Sequence, residues 1–148
     1  MATHPIWGVG LLSQTPTFLL VLAPSGYARV VQTQFTAEQV NLPTPGVATK
    51  PVWSRILDGT APFTSLTPQL VNGYASASGM DPRTAYTVDP TFPAEEPDYA
   101  LTVRDGIAIK TQYPAESGPV VSSDCFLGVR ATCDANTEWH GTVQWEEL

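Results

Sequence analysis

The sequence predicts an all-β protein: an antiparallel β-sandwich or barrel with hairpins, extended proline-rich arms and at most one or two short helical turns. Three observations predict it. Fourteen prolines and eleven glycines in 148 residues leave little uninterrupted chain for long helices, whereas abundant threonine and β-branched aliphatics suit a pleated surface. Segment 99–113 carries Asp105-Gly106, a turn signal, because glycine reaches φ > 0 without a Cβ clash and aspartate tolerates tight turns. A three-residue loop, Arg104-Asp105-Gly106 with Gly106 as a left-handed bulge, gathers Tyr99, Leu101, Val103, Ile107 and Ile109 on one face, whereas a two-residue loop mixes polar and apolar groups on both. The last strand alternates Trp139, Gly141, Val143 and Trp145 against Glu138, His140, Thr142, Gln144 and Glu146, the pattern of a half-buried sheet.

Each element follows from its local residues. Residues 6–12 form a short apolar strand whose Gly8 and Gly10 imply a bend or a close neighbour. Residues 18–23, apolar on both faces, belong at the centre of a sheet. The turn Ala23-Pro24-Ser25-Gly26 leads into a returning strand, 27–35, with Tyr27, Arg29, Val31, Thr33 and Phe35 on one side, a second hairpin. Thr36-Ala37-Glu38-Gln39 matches a helical capping box, cut short by Pro43 and Pro45. Residues 41–51 read as an extended arm. Residues 52–57 read as a strand ending at Asp58-Gly59, pushed toward a sheet edge because Pro62 weakens a return partner.

For residues 67–73 there are two readings. Thr67 as cap, Pro68 as first helical residue and Gly73 as terminator give a short helix, the preferred one; Asn72-Gly73 as a turn gives a hairpin. Asp81-Pro82-Arg83-Thr84 reads as a capped single turn. Residues 89–98, with Pro90, Pro93 and Pro97 among four acidic residues, form a second extended arm. Near the end, Val121, Cys125, Leu127, Val129, Ala131 and Cys133 share one parity. A turn at Asp134-Ala135-Asn136-Thr137 then pairs that strand with the last one. The whole of 1–148 is expected to be one β domain, with 41–51 and 89–98 as surface arms.

Charge narrows the function. A net charge of −7, with seven scattered basic residues, offers no clustered cationic face to release counterions from a duplex, so neither nucleic acid nor an anionic membrane is an expected partner. The longest aliphatic run, 18–23, falls far short of a membrane span. The first seventeen residues lack lysine and arginine, so no secretory signal is expected.

Catalytic constellations are thin. Cys125 and Cys133, eight residues apart, lie roughly 26 Å from each other if they share one strand, and read as reduced core thiols rather than a disulfide. With His140 they match no metal-ligand spacing. The histidines are His4 and His140, and no nucleophile-elbow, phosphate-loop or dinucleotide motif is present. The chain is therefore expected to be no enzyme and to need no cofactor or metal. Trp7, Trp53, Trp139 and Trp145 are candidates either for core packing, with satisfied indole N–H groups, or for a sugar-stacking platform.

These readings lead to a structural protein that assembles with copies of itself or with a larger shell, since proline-stiffened arms lose little entropy on docking. The expected partner contacts are Pro43, Pro45, Phe92, Pro93, Trp7 and Trp53. The alternative is a carbohydrate-binding module using exposed tryptophans. In its start at Met1-Ala2-Thr3, its threonine and proline abundance, scarce lysine, two unpaired cysteines, and arms such as Asn41-Leu42-Pro43-Thr44-Pro45-Gly46, the chain resembles the small accessory proteins of tailed-bacteriophage virions, capsid decoration or tail-associated proteins. The resemblance is one of general character and carries over no functional residue. It implies a homo-oligomer that binds and stabilises a capsid or tail lattice, without catalysis, resident in the virion after synthesis in the host cytoplasm.

Overall fold

Thirteen strands are laid down in chain order in the computed structural model, which describes residues 5–13, 17–39, 48–49, 52–56, 62–74, 77–88, 90, 103–104, 109–124, 126–132 and 137–148. They are β1 (Ile6–Ser13), β2 (Thr17–Pro24), β3 (Tyr27–Gln39), β4 (Ala48–Thr49), β5 (Val52–Ile56), β6 (Thr64–Ser65), β7 (Gln69–Asn72), β8 (Met80–Thr84), β9 (Val103–Arg104), β10 (Ile109–Gln112), β11 (Val120–Ser122), β12 (Phe126–Thr132) and β13 (Thr137–Glu147). One sheet has the order β10-β3-β13-β1-β7, with β11 also on β3. The second runs β5-β12-β2-β8-β6, and β4 and β9 form a separate ribbon. Among the described residues every pairing is antiparallel and there is no helix. The fold is an all-β sandwich.

The core lies between the two sheets. Trp7, Val9, Val30, Phe35, Trp139, Val143 and Trp145 from the first meet Phe18, Leu20, Leu22, Leu127, Val129 and Ala131 from the second. Burying each large apolar side chain stabilises the fold by roughly 1.5–3 kcal/mol over leaving it in water. The predicted inward row of β13 is seen in full: Trp139, Val143 and Trp145 are completely buried, with Gly141 between them. β2 holds the centre of its sheet, and both of its faces are covered. Phe18, Leu20 and Leu22 enter the main core, while Leu19 and Val21 join Ile56 and Tyr86 in a second cluster on the far side. β5 takes the predicted edge position.

Two of the expected hairpins are replaced by crossings between sheets. β2 and β3 flank the Ser25-Gly26 bend but lie in opposite sheets, as do β12 and β13. An arch and a hairpin share one local signature, two amphipathic strands around a turn. Here the apolar rows face each other across the core instead of lying side by side. The residues around Asp105-Gly106 lie outside the described set; of the two arms, β9 pairs with β4 and β10 with β3.

The helical readings also give way to strands. Thr36, Ala37, Glu38 and Gln39 continue β3 and pair with His140, Trp139, Glu138 and Thr137; a four-residue cap cannot compete with that ladder. Residues 69–72 form β7 on β1, ending at Gly73, whose φ of +97° needs a residue without a Cβ. Asp81-Pro82-Arg83-Thr84 lies within β8. The carbonyl of Pro82 accepts from the Leu66 N–H at 2.8 Å, so its missing N–H falls on that same side, where β6 ends at Ser65.

The inward row of β3 is not the one the alternation predicts. Tyr27 is exposed, and Ala28, Val30, Thr33 and Phe35 are buried. A bulge causes the change of parity, because Gln32 opposes Gln144 while Val30 opposes Trp145, leaving Val31 as the extra residue. At the same level the opposite edge opens. The chain leaves β3 after Tyr113, whose N–H donates to the Val31 carbonyl at 3.0 Å, and rejoins it at Pro119, whose carbonyl accepts from the Val30 N–H at 2.9 Å.

Candidate functional site

Of the residues expected to touch partners, Trp7 and Trp53 lie on strands of different sheets. Trp7 is a core residue, 6% exposed, which corrects its assignment as a contact: it packs under β1 and offers no surface. Trp53 lies in the edge strand β5, and Pro43, Pro45, Phe92 and Pro93 lie outside the described residues, as do most of both arms. Trp139 and Trp145 are wholly buried, so these two indoles make no sugar-stacking platform. Their N–H groups differ from expectation too. Trp145 Nε1 donates to Glu147 Oε1 at 3.4 Å, whereas Trp7 Nε1 and Trp139 Nε1 are buried without a partner.

The described residues hold no group of three His, Cys, Asp or Glu side chains able to bind a metal ion. His140 projects from the outer face of β13 and is exposed; His4, Cys125 and Cys133 lie outside the described residues.

Three surface features remain. The first is the edge strand β7, Gln69-Leu70-Val71-Asn72, exposed at all four positions and carrying neither charge nor proline. Its inner edge pairs with β1, and no strand among the described residues pairs with its outer edge. A row of unpaired backbone donors and acceptors flanked by apolar side chains is a template for another strand. Beyond it Tyr74 is fully exposed.

The second is the outer face of the first sheet. The pairing registers align Gln112, Gln32 and Gln144 in one row across β10, β3 and β13, with Gly8 of β1 and Gln69 of β7 beyond. One step along, Lys110, Gln34, Thr142 and Gly10 form the next row, and Thr36, His140 and Leu12 the one after. The outward set on β13 follows from parity, as do Gln32 and Gln34 opposite Thr33 and Phe35 on β3; the bulge at Val31 changes the reading of β3 only over 27–31.

The third is a cleft of about 360 Å³ at the end of that face, lined by Ile6, Arg29, Val31, Tyr113, Glu116 and Leu148 among others. The loop that closes it is built: the Ser117 N–H and hydroxyl both donate to the Pro114 carbonyl, at 3.1 and 2.7 Å, and Glu116 takes a left-handed φ of +64°. Arg29 Nη1 donates to Glu146 Oε1 at 3.4 Å, and Arg29 Nε is buried without a partner. On the far side of the molecule, burial raises the Tyr86 phenol above its ordinary pKa, opposed by the neighbouring Arg83 guanidinium.

Compared with family models, curated proteins and solved structures, the chain matches none.

Proposed function

We propose that this protein is a non-enzymatic assembly protein that docks through its sheet edge onto copies of itself and onto a repeating protein shell, in the manner of an accessory component of a phage capsid or tail. The observation that carries the reading is β7. Natural sheets blunt their free edges with charge, proline, bulges, short strands or a covering element; Gln69-Leu70-Val71-Asn72 carries neither charge nor proline, and although it is short and bulged at Val71 it keeps all four side chains exposed. Exposed Leu70, Val71 and Tyr74 adjoin that edge, so strand addition would pair the free backbone groups and cover apolar surface together.

Light scattering across a concentration series tests self-assembly. The expected result is a native mass above the 15.9 kDa of one chain, returning to that of one chain in Leu70→Lys. Co-sedimentation with purified capsids and tails tests the lattice, and Leu70→Lys is expected to abolish it. A wild-type protein that is monomeric throughout and stays in the supernatant with both particles overturns the reading.

A further inference from the structure

We infer that the outer face of the first sheet is a binding site for a neutral, elongated, polyhydroxylated ligand: a glycan chain without acidic sugars. This goes beyond the assembly reading and does not rest on it, since it uses the face of the sheet and not its edge.

The argument begins with charge. The chain carries −7 overall, yet among the described residues the middle of this face, from Gln112, Gln32 and Gln144 to Thr36 and His140, holds no carboxylate. Glu146 at one end is held by Arg29, and Glu138 marks the other. Among the described residues there, an anionic ligand would meet Lys110 alone, and a cationic ligand would find no counter-charge. What the face offers is hydrogen bonding of both senses, because primary amides donate and accept at once, as hydroxyl groups do. A ligand whose polar groups are all hydroxyls is the chemical complement.

Geometry adds a second argument. Neighbouring strands lie roughly 4.8 Å apart, so the row Gln112, Gln32, Gln144 repeats an amide at about the length of one sugar ring. The amides are reachable: Gln112 is exposed, and Gln32 and Gln144 are half-buried. Gly10, exposed and without a side chain, lowers the floor beside Thr142, and Leu12, 54% exposed, offers an apolar patch for the C–H face of a ring. At the other end the cleft under residues 113–119, with Tyr113 and Pro114 in its wall, stops the face and gives a chain end somewhere to lodge. Trp139 and Trp145 take no part in this arrangement, because they point the opposite way, into the core.

The test is calorimetric titration with cellohexaose, xylohexaose and mannohexaose, and with hexagalacturonate as the acidic counterpart. At least one neutral hexamer is expected to bind and hexagalacturonate to fail. Gln32→Ala and Gln144→Ala should each weaken the neutral ligand by about three- to tenfold, while Ser123→Ala, at an exposed position on a connection between the sheets, should leave it unchanged. Circular dichroism establishes that each variant is folded. Binding of no neutral hexamer at millimolar concentration, binding indifferent to both glutamines, or tighter binding of hexagalacturonate overturns the inference. So does a wild-type native mass that the glutamine variants lower, which would make the face a contact between copies.

Discussion

The ring of Phe18 occupies the space that a side chain at position 141 would need. A Cβ built on Gly141 would lie 2.6 Å from Phe18 Cζ and 3.0 Å from Phe35 Cδ1. Phe18 meets Phe35 edge-on with centroids 5.8 Å apart, and Trp139 at 6.4 Å. At this level the two sheets meet through an aromatic side chain of β2 pressed onto the bare backbone of β13.

Gly141→Ala should consequently destabilise the protein by about 1–3 kcal/mol, through overpacking rather than through backbone strain. Urea unfolding measures it. Phe18→Leu, which shortens the opposing ring, should recover part of the loss in the double variant, although alone it destabilises; strict additivity of the two changes would show that the ring is not the obstacle.

A second tie holds the sheets together at their C-terminal end. The Glu147 carboxylate accepts from the Gly79 N–H at 3.0 and 3.2 Å and from the Ser78 hydroxyl, while the Ser25 N–H donates to the Gly79 carbonyl at 2.7 Å. Glu147→Ala should cost about 1–2 kcal/mol, discounted for partial exposure. Ser78→Ala in the same background should add less than it does alone, because its main partner is already gone. A double-mutant cycle by chemical denaturation reads this directly.

What the sequence shows of this fold follows from what a one-dimensional pattern encodes. Alternation placed Trp139, Val143 and Trp145 inward, and the double-sided run 18–23 located the centre of the second sheet, because burial imprints itself on each residue separately. Whether β2 and β3 pair or cross the core depends on partners more than ninety residues away, such as Thr137 opposite Gln39 and Ser122 opposite Tyr27, and no local signal carries that. One bulged residue, Val31, reversed the reading of β3 over 27–31 and left Thr33 and Phe35 on one side as alternation has them. Pro68 and Pro82 suggested helical starts, yet Pro82 is accommodated where the neighbouring strand stops. Of the surface features, the outward row of β13 was legible; β7 was concealed by its resemblance to a capped helix.

Arg83 shields the second cluster. Its guanidinium lies 4.1 Å from the centroid of Phe63 and 5.2 Å from that of Phe126, and its Nε donates to Asp81 Oδ2 at 2.8 Å. Arg83→Ala should lose about 1–2 kcal/mol, from the stacked cation and from the apolar stem that covers the rings. Arg83→Lys should recover only part of this, since a compact ammonium cannot lie flat between two rings. If lysine restored full stability, the ion pair with Asp81 and not the stacking would be the operative contact.

Tyr86 makes this same cluster sensitive to alkali. Its ring packs 5.4 Å from Phe63, the residue is 8% exposed, and its hydroxyl is buried beside the Arg83 guanidinium, which offsets only part of the effect of burial. Burial raises its pKa above the ordinary 10.0 of a tyrosine, so the folded state holds the phenolic proton more tightly than the unfolded state does. Below the unfolded pKa both states are protonated and the stabilisation is complete. As pH rises past 10 the unfolded chain loses the proton first, and stability falls until the folded pKa is passed. Denaturation midpoints measured between pH 8 and pH 11 should therefore drop more steeply in the wild type than in Tyr86→Phe, which has no proton to lose. Parallel slopes in the two proteins would place the phenol in contact with water and rule out its burial as the cause.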